Sequence, residues 1–201
     1  MQQSRKTIPT LKIEKKAYLY LSGALLLLPL RCLLAFVVAA VVHELGHILV
    51  LYLLKIRIYN VEFGVFGAKI DTECMAPWQE LLCALAGPIS GFTLLLFFRW
   101  MPLTAIFGIF QSLYNLLPVY PGDGGRILQS CANMLLPPNV AQKICRIIEV
   151  LFLISAAGIG IYLTFCLRLG LIPIVISALL IRGWRKKHLQ TWVMQSTMGI
   201  S

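Results

Sequence analysis

The chain has 201 residues, 59% of them hydrophobic and only 13% charged, with a mean hydropathy of +0.82. Soluble domains are roughly 45–50% apolar and about a quarter charged, so the composition indicates an integral membrane protein and excludes a soluble enzyme, a disordered tail and a disulfide-rich secreted scaffold. The net charge of +10, from 18 Lys and Arg against 8 Asp and Glu, would suggest nucleic acid as partner on a soluble protein; here it is first a topology signal, because cytoplasmic loops collect basic residues.

From the N-terminus, a basic start runs into Ala17–Leu30, an apolar stretch of marginal length, with no cleavage pattern of a signal peptide. Cys32–Leu54 follows and meets the roughly 17–25 residues that a membrane-spanning helix needs. The polar stretch Lys55–Gln79 contains VEFGVFGAKID, whose β-branched and aromatic residues, with Gly64 and Gly67, predict a strand or hairpin at the membrane surface. Three further apolar stretches, Leu81–Phe98, Leu103–Tyr120 and Ile147–Leu167, approach spanning length. Leu171–Ile181 is again marginal and spans only by extending into polar flanks or by thinning the bilayer. From Trp184 onward a basic tail with two Trp, residues 184–201, reads as an interfacial anchor.

The basic residues choose between six spans and four. With six, at residues 17–30, 32–54, 81–98, 103–120, 147–167 and 171–181, fifteen of the eighteen fall on one side and only Arg31, Arg99 and Arg168 on the other. With four the division is far less one-sided. The expected fold is therefore an all-α polytopic membrane protein: six transmembrane helices, a short surface β element, both termini cytoplasmic, and one domain over residues 1–201. The six Cys are scattered without a CxxC pair and read as small hydrophobes.

Ionisable residues inside a span are costly, which makes them functional candidates. VVHELGHILV places His43, Glu44 and His47 near the middle of the second span. Two His four residues apart project from one helix face. The spacing suits two nitrogen ligands of a zinc ion, with Glu44 placed to take a proton from its water. Gly46 would leave room beside His47 for a substrate backbone. The alternatives are polar residues bonded inside a helix bundle, or ligands of a transported ion.

A catalytic zinc takes a third protein ligand. His188 lies in the tail and Asp71 in the surface loop. Asp123 stands in NLLPVYPGDGGR, where Pro118, Pro121, Gly122, Gly124 and Gly125 would end a helix and let the backbone turn a carboxylate inward. The competing reading of Asp123 is a solvated turn residue.

HELGH in one apolar helix and NLLPVYPGDGG ending a later one resemble the motifs of the site-2 protease family, intramembrane zinc metalloproteases. ALAGPISG at Ala84–Gly91 is similar to that family's Ala-Gly-Pro element, and FGAKID to its membrane-surface strand. The layout looks most like a small bacterial type that processes a sporulation sigma factor precursor. The resemblance implies Zn2+ as cofactor, held by His43, His47 and Asp123, with Glu44 as general base. It implies that Asn115 holds the substrate backbone and that the strand around Phe66 and Gly67 receives the unwound substrate. It also implies a membrane-tethered protein substrate, such as a transcription regulator precursor, a regulatory membrane partner, a bacterial cell membrane as location and no nucleic acid as partner. The family usually has Leu-Asp-Gly where this chain has Gly122-Asp123-Gly124, which predicts a looser turn. Gly87-Pro88 would either loosen the third span or allow close helix packing. The rival function is a metal-ion transporter or channel using the same His, Glu and Asp, which predicts further polar residues along several spans.

Overall fold

The computed structural model describes residues 10–13, 29–64, 67–120, 122–165, 174–175, 177–182 and 184. The expected span at 17–30, Phe66, most of 171–181 and the tail beyond Trp184 lie largely outside these residues. The chain divides into two compact units, Met1–Tyr114 and Asn115–Ser201.

The first unit carries β1 (Thr10–Ile13), α1 (Leu30–Leu53), β2 (Ile58–Gly64), β3 (Gly67–Thr72), α2 (Pro77–Thr93) with a 3-10 turn at Leu94–Phe97, and α3 (Pro102–Asn115), whose last residue opens the second unit. Its helices are built with large apolar side chains outward and small ones inward. On α1, Leu34, Phe36, Val38, Val41, Leu45 and Leu49 are exposed, whereas Ala35, Ala39, His43, Gly46 and His47 are buried. A water-soluble helix would reverse this. Lipid solvates Leu as well as another protein does, so helices in a membrane associate through small residues and hydrogen bonds.

The α1–α2 contact shows both. A Cβ on Gly46 would lie 2.5 Å from the Ala86 carbonyl oxygen, so the backbones approach too closely for any side chain there. Ser90 Oγ donates across the same seam to the Val42 carbonyl at 3.0 Å. Gly46 thus serves helix packing rather than the expected opening beside His47. Helix α2 runs through Pro88, and the Ser112 hydroxyl of α3 donates to the Pro88 carbonyl at 3.1 Å. Close packing is the role of Gly87-Pro88 that the structure supports.

Helix α1 ends in a left-handed turn at Lys55, φ 55°. The Lys55 N–H reaches the Tyr52 carbonyl and the Ile56 N–H the Leu51 carbonyl, at 3.1 and 3.0 Å. This is a Schellman closure with its usual apolar contact, since Leu51 and Ile56 share one buried cluster with Cys83. Ile58, Ile70 and Met75 pack on that cluster, which docks the sheet onto the end of α1. The sheet has the order β1-β2-β3: β1 is parallel to β2, and β2–β3 is an antiparallel hairpin closing at Gly64 and Gly67. The expected surface β element is present, and β3 forms one of its edges.

The second unit opens with the turn after Asn115 and continues as α4 (Asp123–Leu135) and α5 (Pro138–Phe165), which pack together. Described helical residues near the C-terminus attach to α5. Ser177 Oγ donates to the Ala156 carbonyl at 3.0 Å and the Trp184 indole to buried Glu149 at 2.9 Å.

Among the described residues, three helices are long and apolar enough to cross a membrane: Leu30–Leu53, Pro77–Phe97 and Pro138–Phe165. The first two match the expected spans at 32–54 and 81–98. The third begins at Pro138 rather than Ile147. The expected span at 103–120 is instead the 14-residue helix α3, ending at Asn115, where Pro118 cannot supply the N–H that a continuing helix requires. Helix α4 had no counterpart among the expected elements.

Candidate metal centre and active site

His43 and His47 stand one turn apart on α1, 2% and 5% exposed. Their rings meet edge to face with centroids 5.0 Å apart. His47 Nδ1 lies 2.8 Å from the Cys83 carbonyl oxygen on α2. A carbonyl only accepts, so the proton sits on Nδ1 and the lone pair on Nε2, the tautomer a metal-ligating imidazole needs. The Nε2 atoms of both rings face the same place on α2. A Cβ built on Gly87 would come within 2.7 Å of His43 Nε2 and would collide with His47 Nε2. The absence of a side chain at Gly87 lets both rings lie directly against α2 there.

Glu44 is half-buried beside His43. Two convergent imidazole nitrogens, one with its tautomer fixed by a backbone carbonyl, and an adjacent carboxylate form a donor set that fits zinc with an activated water. This is the pattern of a metallohydrolase.

In the second unit, Asp123 is the first residue of α4 and 6% exposed. Two glycines bury it. A Cβ on Gly124 would strike the Leu116 and Leu117 carbonyl oxygens, and one on Gly125 would lie 2.5 Å from the Tyr120 nitrogen. The first turn of α4 therefore lies directly on the backbone of residues 116–120. Arg126 Nη1 is 3.7 Å from Asp123 Oδ1, one turn along the helix.

Gly122 does not loosen this turn. Its φ of −62° and ψ of 162° are open to any residue, and its N–H bonds to the Val119 carbonyl at 3.1 Å. A Cβ there would meet the Asn115 and Val119 carbonyl oxygens at 3.2 Å, so Gly fits the tight approach. Asn115 is half-buried at the end of α3. Gly67 opens β3, paired with Gly64, and Phe66 lies outside the described residues.

Sequence reasoning assigned no role to the Cys83 carbonyl and gave Gly87 a part in loosening the third span or in helix packing, not in seating the imidazoles. A backbone acceptor leaves no mark in a sequence. The Ala86-Gly87-Pro88 run, lying between the two motifs, was the available signal for Gly87.

No protein-family model matches the chain. Over 108 residues it is 33% identical to a Synechocystis protein described as a candidate zinc metalloprotease, covering 46% of this chain and 28% of that protein. It is 27% identical over 191 residues to stage IV sporulation protein FB of Bacillus subtilis, covering 87% of this chain and 62% of the relative. The chain thus spans less than two thirds of either curated relative. Among solved structures it is similar to the site-2 protease from Methanocaldococcus jannaschii, with a TM-score of 0.61 and 20% identity, covering 89% of this chain and 91% of that one. That last likeness is one of fold.

Proposed function

We propose that this chain is an intramembrane zinc metalloprotease that hydrolyses a peptide bond in or near a transmembrane segment of a membrane-tethered protein. The observation that carries it is the buried His43–His47 pair in a helix of spanning length, its Nε2 atoms facing Gly87 and its His47 tautomer set by Cys83. His43, His47 and Asp123 would hold the zinc. When bound, zinc lowers the pKa of a coordinated water and polarises the scissile carbonyl.

The chain's own residues do the rest. Glu44 accepts the proton of the attacking water and delivers it to the leaving amine. A substrate helix must unwind first, because its peptide groups are bonded within the helix. The edge of β3 offers main-chain partners to the unwound strand, the resemblance gives Phe66 the same role, and the Asn115 amide holds its backbone.

The remaining parts of the reading follow from the charge pattern and the resemblance: six spans, cytoplasmic termini, one protease domain built from both units, a bacterial cell membrane, and a substrate that is the precursor of a transcription regulator. A regulatory membrane partner belongs to the same reading.

The test is Glu44→Gln, co-expressed with membrane-tethered substrates. Cleavage should fall at least about a hundredfold, the scale of a lost general base, while bound zinc stays at one per chain. Unchanged cleavage would remove Glu44 from the mechanism. Zinc flux through proteoliposomes without cleavage would favour the transporter reading.

A further inference from the structure

Helix α2 meets the HELGH segment with Cys83, Gly87 and Ser90, which recur at the i, i+4, i+7 spacing of one helix face. The Cys83 carbonyl fixes the His47 tautomer, and both imidazoles lie against Gly87. Ser90 meets the main chain of the other histidine. Its Oγ is 3.0 Å from the Val42 carbonyl oxygen and 3.4 Å from that of His43. The first carbonyl belongs to the peptide before His43 and the second to the peptide after it, so one hydroxyl reaches both peptide groups that flank a proposed zinc ligand.

The same Oγ is 2.7 Å from the carbonyl of Gly87 on its own helix, and a local back-bond of this kind holds the serine rotamer toward α1. The single hydroxyl proton is thus shared between the two helices. A Cβ on Gly46 would lie 2.5 Å from Ser90 Oγ and 2.8 Å from Ser90 Cβ, so the side chain is wedged against the glycine inside the motif. The hydroxyl of Ser112 makes an interhelical bond of the same chemistry to the Pro88 carbonyl, but it touches no peptide group of a proposed ligand.

We infer that Ser90 is a positioning residue for zinc, its hydroxyl fixing the His43 main chain against α2 as the Cys83 carbonyl fixes the His47 ring. This rests on the proposed zinc site. Ligand atoms must be held within about 0.5 Å of their productive geometry, and a hydroxyl bonded to the backbone beside His43 supplies that constraint without touching metal or substrate.

The test is Ser90→Ala, which keeps the Cβ beside Gly46 and removes only the oxygen. The purified full chain in detergent is titrated with zinc against a chelator of known affinity, and cobalt(II) is loaded in its place so that the absorption spectrum reports the coordination geometry. Circular dichroism confirms the helices. Zinc should bind about tenfold more weakly, the low end of the 10–100-fold range for groups that orient a ligand from outside, and the cobalt spectrum should change. With a membrane-tethered substrate, kcat should fall and KM should stay, because the lost oxygen binds helix backbone. Ser112→Ala loses an interhelical bond of the same kind and should keep the parent's zinc affinity and cobalt spectrum. Zinc affinity within about twofold of the parent and an unchanged spectrum in Ser90→Ala would overturn the role of Ser90 and leave the zinc reading standing. An equal loss in Ser112→Ala would assign the effect to a general loosening of α2 and overturn it too. A parent chain that binds neither metal overturns the zinc reading itself, and the role of Ser90 with it.

Discussion

Gly87→Ala adds one methyl group to a buried helix, where the ordinary expectation is a small gain from better helix propensity. Here the expected result is loss of the metal. The new Cβ would sit 2.7 Å from His43 Nε2 and 2.5 Å from His47 Cε1, well inside the 3.5 Å or more of normal contact. His47 cannot retreat without losing the Cys83 carbonyl at 2.8 Å, and both rings are buried. The overpacking costs about 1–3 kcal/mol of stability. The effect on zinc is larger, because the methyl would displace both imidazoles at their Nε2 edges. Disturbing an outer-shell partner alone weakens metal affinity 10–100-fold, so obstructing both ligand nitrogens should cost roughly a hundredfold or more. The assay is metal content by mass spectrometry on purified protein after dialysis against a zinc buffer, with circular dichroism to confirm the helices. Gly158→Ala is the control. Nothing lies within 4 Å of a Cβ there, so it should stabilise α5 by about 0.5–1 kcal/mol and leave zinc unchanged. Stoichiometric zinc and normal cleavage in Gly87→Ala would refute the placement of the metal beside Gly87.

Lys55→Gly should stabilise the protein by about 1 kcal/mol, because Lys55 pays the left-handed penalty at φ 55° that glycine avoids; a lower unfolding midpoint would show that its side chain has a compensating role. Ser112→Ala removes the hydroxyl that joins α3 to the Pro88 carbonyl, and interhelical bonds of this kind average about 0.6 kcal/mol and reach about 1.7. Its thermal midpoint should fall by that modest amount with zinc retained; loss of zinc would mean that the α2–α3 contact also positions the histidines.

The parts legible in the sequence were those that break an apolar background. HELGH stood out because three ionisable groups interrupt a long hydrophobic run, and the structure buries both His on one face of α1. The hairpin was legible from its β-branched and aromatic run between glycines. The stop after Asn115 was legible from two prolines, although its effect, shortening α3 to 14 residues, was not carried through to the expected span. Helix α4 was missed because Arg126, Gln129, Ser130 and Asn133 make it too polar for a search for spans. The start of α5 was misplaced for a related reason: Asn139, Gln142, Lys143 and Arg146 mark a helix already outside hydrocarbon. Hydropathy locates the membrane, not the helix.

What the sequence concealed most thoroughly is contact made by the absence of a side chain. Gly46 brings α1 onto α2, and Gly87 lets two imidazoles lie against α2; in the other unit, Gly124 and Gly125 lay α4 on residues 116–120 and so bury Asp123. A larger residue at any of these places would push backbone or ring aside by an ångström or more. His43, His47 and Asp123 are therefore packed against neighbours that carry no side chain. That arrangement suits a membrane, where small residues are the means of close approach and a backbone carbonyl can satisfy an imidazole N–H within the helix bundle. It also explains why the surrounding helices can be plain Leu, Val and Phe. Their outward faces need only dissolve in lipid, while a few glycines and the carbonyl oxygen of Cys83 help to position the site.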